Sequence, residues 1–441
     1  MAKCDAKATV PKVRFPEFVG AQNWSVAPMR KLYAFMRNNL LSRDKLNYER
    51  GVAKNIHYGD IHTKFQALFD ITRESVPFIN ESESVPGADS EDYCVEGDLI
   101  FADASEDMRD VGKCIEVIRL AGERLLSGQH TILARPKDDA LVIGFGGHLF
   151  RSGLMRSRIE KEAQGTKVYQ ISSSRLGGID ITYPSGKGEQ QKIADCLTSL
   201  DEVIAAQGRK VEALKAHKRG LMQQLFPREG ETRPRLRFPE FRDAPEWEQR
   251  RLGELARRGS GHTPSKSNPE YYSGGIKWVS LADSKRLDNG FISETAIKIS
   301  AQGIANSSAV LHPAGSVILC RDAGVGKSAV MKEPMAVSQH FMVWNCDEKL
   351  LSNWYLYFLF QLMKPLFEDV ASGSTIKTIG LTFFKELNVI VPSLAEQQRI
   401  ADCLSSLDTQ ITAESHQLAA LQTHKQGLMQ QLFPAPEAAQ A

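Results

Sequence analysis

The chain has 441 residues, 42% of them hydrophobic, and a formal net charge of +2. That length allows about three domains with real apolar cores, and the near-neutral charge leaves nucleic-acid binding to be decided by local clusters. No run approaches ~18 apolar residues and no apolar stretch follows a basic start, so neither membrane span nor signal peptide is expected. Seven cysteines, odd in number and without Cys-x-x-Cys spacing, fit reduced thiols in a cytoplasm.

Taken in order, residues 1–10 lack periodicity and read as a disordered tail. Residues 11–185 read as a first globular region, opening on Arg14-Phe15-Pro16-Glu17-Phe18 with Trp24 further on. Short apolar or β-branched runs at 98–102, 131–133 and 141–143 predict strands. Residues 186–227 predict one long helix. Ile193, Leu197, Leu200, Ile204, Val211, Leu214, Leu221 and Leu225 fall at steps of four and three or their sum, a heptad seam broken at Gln207 and Lys218. Leu225-Phe226-Pro227 ends it, because proline cannot continue a helix. A polar linker, 228–235, leads to a second region, 236–394.

That region reopens on Arg237-Phe238-Pro239-Glu240-Phe241 with Trp247 beyond. Strands are predicted at 277–281, 316–319, 341–344 and 387–391, and a helix at 353–367. Residues 395–434 predict a second long helix with a seam of Ile400, Leu404, Leu407, Ile411, Leu418, Leu421, Leu428 and Leu432, broken at Glu414 and Lys425. Residues 435–441 are a small-residue tail.

The chain is written twice. Residues 190–227 and 397–434 align without a gap and agree at about two positions in three. The repeat continues inside the globular regions, where Gly112-Lys113 matches Gly326-Lys327, Gln129-His130 matches Gln339-His340, and Gly165-Thr166 matches Gly373-Ser374. Matched polar breaks predict that the two helices pack on each other, and a two-fold axis across them makes them antiparallel. The expected fold is α+β: two mixed α/β domains separated by an antiparallel coiled coil, with pseudo-two-fold symmetry.

Most candidate catalytic motifs fail. Ala323-Gly324-Val325-Gly326-Lys327-Ser328 resembles the end of a phosphate-binding loop, but Arg321 stands where its first glycine belongs. It reads better as a glycine turn that lets Lys327 reach outward. Asn268-Pro269-Glu270-Tyr271 resembles an aminomethyltransferase signature broken by Glu270, and reads as a turn. The histidines lack metal-ligand spacing. What remains is binding chemistry on glycine-rich loops, where small residues admit phosphates and Arg, Gln or Asn pair with base edges. Any one such loop is as readily an ordinary solvated loop; recurrence at matched places favours function. The candidates are Tyr58, His62, Lys64, Lys113, Gln129, His130, Thr166 and Lys167 in the first region. In the second they are His262, Thr263, Ser265, Lys266, Arg321, Lys327, Gln339, His340, Ser374, Thr375 and Lys377.

The conjunction of the two Arg-Phe-Pro-Glu-Phe…Trp segments with residues 55–65, 262–280, 336–341, 371–379 and 392–408 resembles the DNA-specificity subunit of type I restriction–modification systems, over nearly the whole chain. The resemblance implies two target-recognition domains, each reading half of a split, asymmetric double-stranded DNA target in the major groove. It implies a coiled coil that spaces them and docks two modification subunits. Those subunits would carry S-adenosylmethionine and methylate adenine, and motor–nuclease subunits would use ATP and magnesium. This chain would bind no cofactor and no metal and would not be an enzyme. Two other readings remain open here: a coiled-coil adaptor for protein partners, and a stand-alone methyltransferase or nuclease.

Overall fold

The structure is a computed structural model that describes residues 10–87, 90–374 and 376–435. The two predicted tails fall almost wholly outside the described residues. The chain divides into two compact units: residues 1–206 with 418–441, and residues 207–417. Each unit therefore holds one globular region plus a part of each long helix, Lys187–Leu225 and Leu394–Leu432.

Both units are built on a five-stranded sheet of one strand order. In unit 1 the order is Tyr33–Met36, Thr131–Pro136, Leu99–Ala102, Cys114–Arg119, Leu68–Asp70. In unit 2 it is Ala256–Ser260, Phe341–Cys346, Val317–Cys320, Ser328–Met331, Phe291–Ile292. Three antiparallel pairings and one parallel pairing recur in the same sequence. The central strands, Leu99–Ala102 and Val317–Cys320, are buried at every position, as continuous apolar runs covered on both faces should be. Two sequence expectations change. Residues 141–143 form a turn, because the Val142 N–H donates to Gln190 Oε1 (2.9 Å) and is withdrawn from any ladder. The helix expected at 353–367 is two, Asn353–Leu362 and Lys364–Val370, since Pro365 opens the second.

The repeated lead-in segments are explained by one lock. Arg237 donates through Nε and Nη2 to the two carboxylate oxygens of Glu396 (2.8 and 2.7 Å), while Nη1 reaches the Ala244 carbonyl and Nη2 also reaches that of Pro245. Arg14 grips Glu189 in the same bidentate manner and reaches the carbonyls of Ala21 and Gln22. Both carboxylates lie in the first turn of a long helix, where the helix dipole favours negative charge. The next residue is a fully engaged buried amide. Gln397 accepts from Ser352 N–H (2.9 Å) and donates to the carbonyls of Leu350 and Pro392. Gln190 does the same toward Val142, Ala140 and Pro184.

The other end of each helix is a plug. Phe226 is buried against Trp247 and Tyr355 in unit 2, and Phe433 against Trp24 and Phe145 in unit 1. Of the seam residues, Ile193, Leu197, Ile400 and Leu404 are buried beside the globular layers. Leu200, Ile204, Leu214, Leu221, Leu407, Ile411, Leu421 and Leu428 are half-buried. The polar breaks all find partners. In unit 2 Gln207 Nε2 donates to Glu414 (2.7 Å) and Lys218 to Asp408 (2.5 Å), so positions rise on one helix as they fall on the other. In unit 1 Lys425 makes the matching ion pair with Asp201.

Removing one partner of a buried ion pair leaves an uncompensated charge. Arg237→Ala, which strands Glu396 at 1% side-chain exposure, should therefore lower the stability of unit 2 by ~3–5 kcal/mol in urea titration. The double variant R237M/E396L should recover most of that loss.

His148 gives a pH prediction. Its imidazole is buried in unit 1 with Nε2 3.2 Å from Thr198 Oγ1. Burial, then the charges of Lys425 and Arg151, push its pKa down to about 3. The unfolded imidazole takes a proton below its ordinary value while the folded one does not, so stability is lost as pH falls from about 6.5 toward 3. Glu116 acts in the opposite sense: burial pushes it up to about 7 against the pull of the Gly144 and Gly147 N–H groups, so its share falls as pH rises from about 4.5 to 7. The difference between wild type and His148→Phe isolates the histidine. It should change by ~1.4 kcal/mol per pH unit below pH 6.5 in matched denaturation curves.

Candidate nucleic-acid interface

At the end of each central strand the chain turns onto a rim of loops held by recurring backbone bonds. In unit 2 the Arg321 N–H donates to the His340 carbonyl and the Arg321 carbonyl accepts from Ile379 N–H, both 2.9 Å. In unit 1 Asp103 holds that place, donating to the His130 carbonyl (3.0 Å) and accepting from Ile171 N–H (2.9 Å). Three separate loops are thus tied to one residue following a rigid strand, which is how a scaffold holds variable side chains at fixed positions.

One loop of the rim is closely specified. Ser372 and Thr378 exchange two backbone hydrogen bonds (3.1 and 2.9 Å), as do Gln164 and Gln170 (2.9 and 2.7 Å). The turn inside each begins with a glycine at φ 129°, Gly373 and Gly165. A Cβ there would stand 2.2 Å from the Ile376 carbonyl oxygen or 2.0 Å from that of Val168, so only glycine fits. Their exposed positions include Thr166, Lys167 and Val168 in unit 1 and Ser374, Ile376 and Lys377 in unit 2. Thr375 lies outside the described residues.

The two Gln-His pairs sit beside these loops, each histidine against a carboxylate. His340 Nδ1 is 2.7 Å from Asp322 Oδ1, and His130 Nδ1 is 3.3 Å from Asp103 Oδ1. The carboxylate comes one residue later in unit 2 than in unit 1, because Arg321 occupies the backbone place of Asp103. Burial pushes the Asp103 carboxyl up, and His130 opposes this. Tyr58 packs edge-on to His130, at 5.3 Å between ring centres. Gln129 is half-buried and Gln339 exposed. Thr263 Oγ1 donates to Gln339 Oε1 (2.5 Å), while His262, Ser265 and Lys266 are exposed on the same segment.

Several candidates turn out to be engaged within the fold. Lys327 was expected to reach outward; its Nζ instead donates to the Ser284 carbonyl (3.1 Å). Lys113 does likewise to the His62 carbonyl (2.7 Å). Both follow glycines of positive φ, Gly112 and Gly326, so the matched Gly-Lys pairs pin a neighbouring short helix. His62 Nε2 lies 3.0 Å from the Ala104 carbonyl. Lys64 pairs with the buried Asp60 (3.0 Å) and with Tyr48 Oη. Arg321 is half-buried. Residues 323–328 join antiparallel strands with no helix following, so the phosphate-loop setting is absent there.

Sequence reasoning passed over Asp103 and Asp322, and the pairs Arg14–Glu189 and Arg237–Glu396. The second set had a readable signal, since an arginine and a glutamate recur at matched places in both copies. Among the described residues, no three His, Cys, Asp or Glu side chains come together as a metal site, and no helix is long and apolar enough to cross a membrane.

Residues 245–423 match the family model described as type I restriction modification DNA specificity domain. The putative type I restriction enzyme MjaX specificity subunit of Methanocaldococcus jannaschii is 21% identical over 421 residues, 93% of each chain. The MjaIX specificity subunit of the same organism is 29% identical over 174 residues, 39% of this chain and 40% of that subunit's length. A crystal structure of a type I restriction–modification S subunit from M. genitalium shares the fold, with a TM-score of 0.58 over 97% of this chain and all of that one, at 15% identity. The chain is thus similar to type I DNA-specificity subunits in sequence over residues 245–423 and in fold over nearly its whole length.

Proposed function

We propose that this chain is the non-catalytic reader of a type I complex, each unit recognising one half of a bipartite, asymmetric DNA target through the major groove. The observation that carries this reading is the rim itself. Matched backbone bonds in both units hold loops whose exposed side chains differ, Thr-Lys-Val at 166–168 against Ser374, Ile376 and Lys377. Equal frames with unequal tips suit two half-sites of different sequence. The two long helices pack as an antiparallel coiled coil that relates two copies of one duplicated frame and sets the unread spacer. Support comes from the ion pairs Lys218–Asp408 and Lys425–Asp201, formed by matching residues of the two repeats. A 39-residue helix is about 58 Å long, ample for half-sites one DNA turn, ~34–36 Å, apart.

Two methyltransferase subunits dock on the helices, at exposed positions such as Gln223, Gln224, Gln430 and Gln431. They supply S-adenosylmethionine chemistry, and motor–nuclease subunits supply ATP- and magnesium-dependent cleavage. The complex works in the cytoplasm, where its DNA is.

The test is a genome-wide map of methylated adenines in a host lacking its own methylation and expressing this chain with its cognate modification subunit. A single two-part motif with a fixed gap is expected, and exchanging residues 259–392 for those of another specificity subunit should change one half alone. Methylation without a bipartite motif would refute the reading. A second prediction concerns phosphates. Lys377→Ala and Lys167→Ala should each weaken binding across all sequences and reduce the slope of log K against log salt by about 0.9. Lys327→Met, which removes an internal pin, should leave that slope unchanged while lowering the melting temperature.

A further inference from the structure

We infer that Gln339 reads an adenine in the half-site recognised by unit 2, that His340 and Asp322 set the orientation of its amide, and that Thr263 holds the amide's other end. The inference rests on the proposed reading of this chain as a DNA-sequence reader.

The argument is a chain of hydrogen-bond roles. Asp322 Oδ1 stands 2.7 Å from His340 Nδ1. A carboxylate only accepts, so Nδ1 carries the proton and Nε2 of the neutral ring is left as an acceptor. Gln339 Nε2 lies 3.4 Å from His340 Nε2, so the amide must turn its nitrogen toward the ring. Thr263 Oγ1 meets the other end, donating to Gln339 Oε1 at 2.5 Å. The histidine contact selects this amide orientation, because reversing it would set the amide oxygen against an acceptor nitrogen, and the Thr263 hydroxyl, which can donate or accept, fits the orientation so chosen.

An amide bound once at each end keeps one N–H and one oxygen lone pair. That pair, side by side, matches the N7 acceptor and N6 amino donor of adenine in the major groove, and no other base edge there presents both. Gln339 is exposed, and Asp322 bridges to Thr378 at the base of the loop that carries Lys377. The amide thus stands on the same rim as the loop proposed to reach phosphate. Unit 1 is wired differently: His130 adopts φ 57° and faces Tyr58 as well as Asp103, and Gln129 is half-buried. The inference is therefore confined to unit 2.

The experiment uses the full chain in complex with its cognate modification subunit, after the methylation map and the exchange of residues 259–392 have assigned one half-site to unit 2. Binding is measured to duplexes with each base pair of that half-site varied in turn. Gln339→Ala should relax one A·T position, with discrimination falling roughly 5–150-fold, while the other half-site is read as before. Replacing that adenine by 7-deazaadenine, or by purine lacking the 6-amino group, should weaken the wild type comparably and leave Gln339→Ala unaffected. Gln339→Glu, which only accepts, should shift preference at that position from adenine to cytosine. Thr263→Val and His340→Phe should reduce adenine discrimination at the same position and no other, by less than Gln339→Ala. Gln339→Met, nearly isosteric, guards against a folding defect in the alanine variant.

Unchanged discrimination in both Gln339→Ala and Gln339→Met would overturn the inference, as would relaxation at a G·C position or continued sensitivity of Gln339→Ala to 7-deazaadenine. A complex that binds no DNA, or binds without a bipartite motif, would bring down the proposed function as well, and that outcome is distinct from the others.

Discussion

A bidentate arginine–glutamate pair at the first turn of each long helix is the constraint on which the rest of the chain depends. Arg14 holds Glu189 and Arg237 holds Glu396, with every one of these side chains at 10% exposure or less. Desolvating such a pair is expensive, and what offsets it is complete engagement: two parallel charge-assisted bonds, further carbonyl acceptors for the guanidinium, and the positive end of a helix dipole for the carboxylate. One contact therefore fixes where the lead-in segment crosses the helix. The buried Gln190 and Gln397 fix the loops on the other side through three hydrogen bonds each. A helix start determined from both sides is a rigid base for the sheet above it.

The helices themselves trade stability for register. A seam of uninterrupted leucine would tolerate sliding by a heptad, whereas a lysine at a seam position must find its carboxylate. Lys218 finds Asp408 and Lys425 finds Asp201, and Gln207 meets Glu414. Because the partners are matching residues of the two repeats, one sequence solution serves in both units. Many seam leucines are only half-buried, so hydrophobic contact there is moderate and polar pairing carries a larger share of the specification. His148 adds a cost near this region, a neutral imidazole beside Lys425 that resists protonation.

On the rim of loops the backbone is repeated and the side chains are not. Residues of positive φ close the same loops in both units, and the strand ends clamp the same three segments. The carboxylate that orients each histidine arrives from a different residue, Asp103 or Asp322, and the exposed tips differ throughout. Conserving the frame while changing what protrudes lets one fold present two distinct sets of donors and acceptors.

The long helices, their ends at Leu-Phe-Pro, the alternation of strand and turn and the twofold writing of the chain were all legible in the sequence. Periodicity, proline and glycine act locally, and a repeat needs no coordinates. So were the places that matter on the rim, since Gly165 and Gly373 announce loops that only glycine can make. What protrudes from those places was decided by tertiary structure. Lys113 and Lys327 look in sequence like free cations, yet a carbonyl of a distant short helix captures each. Residues 141–143 look like a strand, yet the amide of Gln190 takes the hydrogen bond that a neighbouring strand would need. Hydrogen-bond partners far apart in sequence leave no periodic trace. The sequence alone therefore determined the frame and its duplication, and only the folded chain decided which polar groups are spent within it and which remain to meet a ligand.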